Sequence, residues 1–279
     1  MEISIHNTHL PHPRPQWTEN FARFGMAAKG VVYCLVGALA FMAAFEINGN
    51  STEGAGKQGV FQFILEQPFG KILLGIVALG LVCYTIWRFI QAFMDSEGKG
   101  MGAKGIGKRI GYAFSGFIYG GLAFYAAQLV LGKSNSSGGG DSRQTLASKL
   151  LEQPFGQWLV GIVAIGTIAM GLYQIYKAIS GKFLKNVQTA NIQANIKDML
   201  MKAGKVGYIA RGIVWGIIGF LFLKAAMNSN AQEAGGSTSA FQFLEDSSYG
   251  SILLGVIALG LVCYGIFMFV RARYEVINT

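Results

Sequence analysis

Three positions in this chain carry residue types suited to holding an anion: Lys29, Ser115 and Arg211. Each lies inside an apolar run. Each is followed four residues later by an aromatic residue, Tyr33, Tyr119 or Trp215, on the same face of a helix. A cation at such a place stacks on the ring or snorkels to the interface. The chemistry on offer is a basic, aromatic-backed pocket for a lipid phosphate or another anionic solute. Interfacial anchoring is the plainer reading, and it weighs more because these positions fall only a turn or two inside the end of their run. A second set, Glu66, Glu152 and Asp246, places a carboxylate just before three other runs. Together they suggest an outer ring that attracts cations. The duller and preferred reading is acids placed near helix N-termini, at ~0.3–1 kcal/mol each, with Pro68 and Pro154 at the first helical position.

Other chemistry is thin. His6, His9 and His12 have metal-like spacing, but Pro11, Pro13 and Pro15 deny them a helix and hence a fixed geometry, so no metal site is expected. No phosphate-binding loop, nucleophile elbow or zinc-protease motif occurs. Polar side chains within the runs are few, Gln128 and Gln174 among them, and no ionisable group suited to a proton pump lies near mid-run. Cys34, Cys83 and Cys263 sit in apolar runs without CxxC spacing and read as packing residues. The expectation is a protein that is not an enzyme and takes no cofactor.

Composition says what must position these residues. Of 279 residues, 52% are hydrophobic and 13% charged, where soluble domains carry about 25% charge. The 39 glycines are about twice the usual share. Both features fit a polytopic helical membrane protein and exclude a soluble enzyme. The net charge of +9 lies in segments between apolar runs, which speaks for membrane topology and against nucleic acid. No cleavable signal peptide is visible in the first twenty residues. Six runs, at about 21–45, 70–93, 109–131, 156–179, 206–227 and 250–270, have the ~20 residues that a bilayer crossing requires.

These runs form three copies of one hairpin. LeuGluGlnProPheGly occurs at 65–70 and 151–156, and Gly-Ile-Val-Ala-Leu-Gly at 75–80 returns with small changes at 161–166 and 255–260. LeuGlyLeuValCysTyr occurs at 79–84 and 259–264. The first helix of each unit opens on a basic residue, Arg23, Arg109 or Lys205, two residues before a glycine. The predicted organisation is a disordered tail at 1–20, units at 21–98, 104–183 and 204–273, and a basic amphipathic linker helix at 184–203. Flexible Gly/Ser turns such as 134–140, then short interfacial helices, should join the spans within each unit. An even number of spans per unit orients all units alike, related by a pseudo-threefold axis along the membrane normal. All but six of the 23 Lys and Arg residues fall on the side of the tails and the linkers between units, the six being Lys57, Lys71, Lys133, Arg143, Lys149 and Lys224. That bias predicts a multi-pass protein of the bacterial inner membrane with both termini cytoplasmic.

Small residues should let the helices approach closely: Gly75, Gly80, Gly161, Gly166, Gly255 and Gly260, with the GxxxG pairs Gly116/Gly120 and Gly212/Gly216. The Arg-x-Gly and Lys-Gly-Val-Val-Tyr segment at 23–33, the Gln-Pro-Phe-Gly turn and the Ala-Leu-Gly-Leu-x-x-Tyr segment together resemble a bacterial membrane family, domain of unknown function 1206. The resemblance covers about 21–273 and departs at 247–250, where SerSerTyrGly replaces GlnProPheGly. It implies tandem two-helix modules in a membrane, usually three, and no activity. The leading functional expectation is a non-enzymatic scaffold or accessory subunit that packs through glycine-rich faces against a protein partner or itself. It would bind anionic lipid at its cytoplasmic rim. The alternative is a passive channel or transporter for a small solute along the axis.

Overall fold

The computed structural model describes residues 16–94, 102–133, 142–184, 187 and 194–275. The histidine tail, the 134–140 turn and most of the first half of the 184–203 linker lie outside the described residues. Six long helices are present: α1 (Gln16–Ala44), α3 (Gly70–Phe93), α4 (Ala103–Val130), α6 (Gly156–Ile179), α7 (Ala194–Met227) and α9 (Gly250–Tyr274). Each is long and apolar enough to cross a membrane. Short helices α2 (Lys57–Glu66), α5 (Ser142–Leu151) and α8 (Ser237–Glu245) precede the second span of each unit. The β-structure among the described residues is one isolated bridge, Val187 to Glu275.

The turn from short helix to span explains the repeated motif. In the first two units Gly70 and Gly156 donate to Gln67 and Gln153 carbonyls at 2.8 and 2.9 Å, closing a turn with Pro at its second position. Its third residue, Phe69 or Phe155, has φ of 60° or 63°. A Cβ on Gly70, Gly156 or Gly250 would run into backbone of the preceding short helix, so each of these glycines is required. Pro68 and Pro154 therefore stand in the turn and not, as expected, inside the helix. In the third unit, SerSerTyrGly makes the same closure, with Tyr249 at φ −121°. Phe69, Phe155 and Tyr249 are all strongly exposed, the position of an interfacial aromatic anchor.

Two boundaries differ from expectation. Helix α1 begins at Gln16, so the last part of the predicted tail is helical. Glu19 lies in its first turn, where a carboxylate suits the helix dipole, and pairs with Arg23 at 2.6 Å. The linker helix is not separate either: α7 runs unbroken from Ala194 through the third unit's first span. Gly204 allows this without ending the helix, because the Phe183 and Phe267 rings fill the place of its missing side chain.

The long helices pack in the order α4–α3–α1–α9–α7–α6, each on its neighbour. Three of these five contacts join units: α3 on α4, α6 on α7 and α9 on α1. The other two are the hairpins α1/α3 and α7/α9. The middle hairpin is missing, since α4 and α6 do not pack side by side. Equivalent residues give the reason. Added Cβ atoms on Gly80 and Gly260 would overlap Ala28 and Ala210, and on Gly25 and Gly207 would come 2.6 Å from Tyr84 and Tyr264 backbone. In the middle unit Phe114 stands where the others have Ala28 and Ala210. A ring is bulkier than the alanine methyl that seats on Gly80 and Gly260, and Gly166 faces open space. Gly75 and Gly161 likewise meet nothing within 4 Å, so the packing role expected of them is not seen within the chain, whereas the Gly216 backbone lies close against Gly171 of α6. Gly116, Gly120, Gly212 and Gly255 do sit against neighbours: Phe89, Thr85, Ile175 and Phe45.

Basic residues at the first-helix starts also join units. Arg23 donates to the Ala272 and Arg273 carbonyls, both at 2.6 Å, and Arg109 to those of Ala92 and Phe93 at 2.6 and 2.9 Å. Each caps the C-terminus of a neighbouring unit's second span, where unpaired carbonyls favour a cation. The contact of α1 with the end of α9 also puts the two ends of the described chain on one side. Ile72, Ile76, Leu79, Ile162, Ile165 and Val256 are exposed along the outer faces, as contact with hydrocarbon demands.

Candidate anion site

Lys29 does not snorkel. It is 2% exposed, in the centre of the bundle. Its Nζ donates to Tyr84 Oη at 2.9 Å and lies 4.7, 4.9, 5.5 and 5.9 Å from the ring centroids of Tyr84, Tyr119, Tyr264 and Tyr33. Arg211, two sequence repeats away, enters the same cluster. Its Nε donates to Tyr33 Oη at 2.9 Å and its Nη1 to Tyr264 Oη at 2.8 Å, with its guanidinium 5.7 Å from the Trp215 ring. Arg88 Nε donates to Tyr84 Oη at 2.8 Å and Nη1 to Gln91 Oε1 at 2.7 Å. The Tyr33 and Tyr119 hydroxyls lie 3.3 Å apart. Tyrosine suits this task because its ring face attracts a cation while its oxygen accepts a hydrogen bond.

The charge is unbalanced. Arg271 at the edge has a counter-ion, with Nη2 2.5 Å and Nε 2.6 Å from the Glu275 carboxylate. Lys29, Arg88 and Arg211 have no carboxylate in contact among the described residues. Rings and hydroxyls stabilise each cation without neutralising it.

Two short helices aim their N-termini at this cluster. Lys57, the first residue of α2, places Nζ 5.2 and 5.6 Å from the Tyr33 and Tyr119 rings. Ser237 begins α8, and a Cβ on Gly56 would overlap Thr238, so the two starts abut. Both helices have glycine N-caps, Gly56 and Gly236, and neither cap supplies a side-chain hydrogen bond. The first amides of a helix have no intrahelical acceptor and carry its positive end. A cavity of about 20 Å³ lined by Tyr33, Lys57, Arg211, Trp215 and Ser237 remains between them, space for about one water. Around it Lys29, Tyr33, Tyr84, Tyr119 and Tyr264 are all buried and occupy the centre. The cavity shares Lys57, Trp215, Ile218 and Ser237 with a cleft of about 760 Å³ that occupies the gap between α4 and α6.

Five of the six expected anion-site residues thus converge here: Lys29, Tyr33, Tyr119, Arg211 and Trp215, all buried or part-buried. Ser115, half-buried on α4, makes no hydrogen bond to the cluster. The carboxylates Glu66, Glu152 and Asp246 are each exposed, and no hydrogen bond or ion pair among the described residues joins them. Gln174 is buried, with Oε1 lacking a partner among the described residues. Cys34, Cys83 and Cys263 are free thiols. Sequence reasoning missed Tyr84 and Tyr264, although both close the repeated LeuGlyLeuValCysTyr segment. It also missed Arg88, and it left Lys57 in an outer loop.

Six apolar spans in three tandem units, closed over a polar centre, define a multi-pass helical membrane protein. The family described as Domain of Unknown Function (DUF1206) matches three times in tandem, over residues 24–95, 110–181 and 206–275, and this chain belongs to it. An uncharacterized protein, YxxB of Bacillus subtilis (strain 168), is 34% identical over 263 residues, covering 93% of this chain and 92% of that protein. No solved structure matches the chain.

Proposed function

We propose that this protein is a non-enzymatic component of the bacterial inner membrane that holds an anionic group inside the bilayer, between Arg211, Lys57 and the first turns of α2 and α8. The observation that carries this reading is the gathering of buried Lys29 and half-buried Arg88 and Arg211 with no contacting carboxylate among the described residues. Unpaired charge inside a membrane is expensive and marks a functional place. An anion at the helix N-termini offsets that cost, as helix-terminus anion sites do. Arg211 and Lys57 touch it, and Lys29 adds charge from behind the tyrosines. The rim site expected from sequence moves inward, because α1 and α7 carry Lys29 and Arg211 well inside their spans. Both termini face the cytoplasm, a reading supported by the basic residues gathered at that end. Gly75 and Gly161, open toward the outside, support packing against a partner protein or a second copy. The filled centre speaks against a solute path along the axis.

The test is thermal unfolding of detergent-washed protein against rising inorganic phosphate. The melting temperature of the wild type should climb with phosphate, since a ligand at a hundredfold excess over its Kd adds about 2.7 kcal/mol. Arg211→Gln should flatten the response. A wild type indifferent to phosphate and sulfate would end this reading.

A further inference from the structure

The gap between α4 and α6 is a hole in the wall of a membrane protein, at the hairpin where Phe114 and Met170 stand in place of the alanine and tyrosine of the other two units. Hydrocarbon surrounds the wall, so the hole is not left to water. Its lining is graded. Phe114, Phe117, Ile118 and Leu122 of α4 face Val163 of α6 and Phe222 of α7 across apolar space. Toward the short helices it turns polar, with Gln58, Gln62, Gln144 and Thr238, and the exposed carboxylate Glu53 stands at its edge. At its inner wall stand Lys57 and Ser237, which also line the small cavity beside Arg211. An occupant must therefore be apolar over most of its length, enter sideways from the bilayer, and end in an anionic group. Its size, about 760 Å³, is that of a ligand site. The corresponding seams of the first and third units are closed by Gly80 on Ala28 and Gly260 on Ala210, so among the described residues the opening belongs to the middle unit.

We infer that the cleft between α4 and α6 is a lateral binding site for an anionic phospholipid of the surrounding bilayer, one acyl chain lying between the two helices and the phosphate reaching Lys57, Arg211 and the N-termini of α2 and α8. This rests on the anion reading above and gives its ligand a class. Burial of each methylene contributes about 0.8 kcal/mol relative to water, but a lipid leaving bilayer for cleft gains little from its tail. Selectivity therefore resides at the phosphate, while the tail sets access and orientation.

Gly121 lines the cleft, with open space around the place of its missing Cβ, so Gly121→Trp projects an indole into the acyl path. The protein is placed in nanodiscs of phosphatidylcholine and phosphatidylglycerol, extracted, and weighed by native mass spectrometry. The wild type should retain one phosphatidylglycerol in preference to phosphatidylcholine, and Gly121→Trp should lower that retention about tenfold. Stabilisation by inorganic phosphate should survive in Gly121→Trp and vanish in Arg211→Gln. Undiminished lipid on Gly121→Trp, equal retention of both lipids, retention of free fatty acid instead, or a wild type carrying no lipid would each overturn the cleft assignment. Loss of the phosphate response in the wild type would instead strike the anion site itself.

Discussion

A lysine ammonium packed among four tyrosine rings exchanges water for ring faces and one hydroxyl. Cation–π contacts and one charged hydrogen bond recover part of the lost hydration, and Arg211, Arg88, Arg271 and Lys57 are all near enough to repel what remains. Methionine has a similar length without the charge, and Tyr84 Oη keeps its bond from Arg88 when Lys29 is replaced. Lys29→Met should therefore stabilise the anion-free protein by about 1–2 kcal/mol while weakening its response to phosphate. Parallel melting curves with and without phosphate measure both effects, and a destabilised anion-free variant would contradict the argument. At this scale the repeat frame made Lys29, Arg211, Tyr33 and Tyr119 legible, because equivalent positions drew attention to themselves. What it hid is convergence: residues of one repeat position meet only when the units pack around a common centre. Tyr84 and Tyr264 read as ordinary interfacial aromatics until that packing exists. Lys57 gave no signal at all, since its role depends on how α2 tips inward.

Helix by helix, small residues matter only where a partner backbone arrives. Gly80 and Gly260 face Ala28 and Ala210, whereas Gly166, their counterpart, faces nothing. Gly80→Leu and Gly260→Leu should cost about 1–3 kcal/mol by overpacking, and Gly166→Leu should stay within about 0.5 kcal/mol. Melting of the three variants in one detergent checks this, and equal losses would mean that the middle hairpin is packed like its siblings. The span starts at Gly70 and Gly156 were readable because a glycine follows a proline turn at a fixed place. The start of α7 was not, since nothing between Ala194 and Gly204 interrupts a helix and the apolar run alone suggested a later beginning. Phe114 shows the limit of reading by repeat. Its substitution for alanine is plain in the sequence, but a phenylalanine inside an apolar span looks like any other until the small-residue seam of the sister units is known.

Across the whole molecule, three similar units produce an unequal assembly. Two hairpins close, and the basic residues Arg23 and Arg109 clamp helix ends between units. The middle hairpin stays open, and the opening leads toward Lys57 and Arg211. Fold class and repeat number were legible from hydropathy and motif. The broken seam was not, because the repetition itself argued for three equal copies. A density map of the protein in phosphatidylglycerol nanodiscs tests the account most directly. It should show α4 and α6 apart, with non-protein density beside Arg211 and Lys57 continuing as a chain between the two helices. Helices α4 and α6 packed together, with only protein side chains around Arg211, would contradict it.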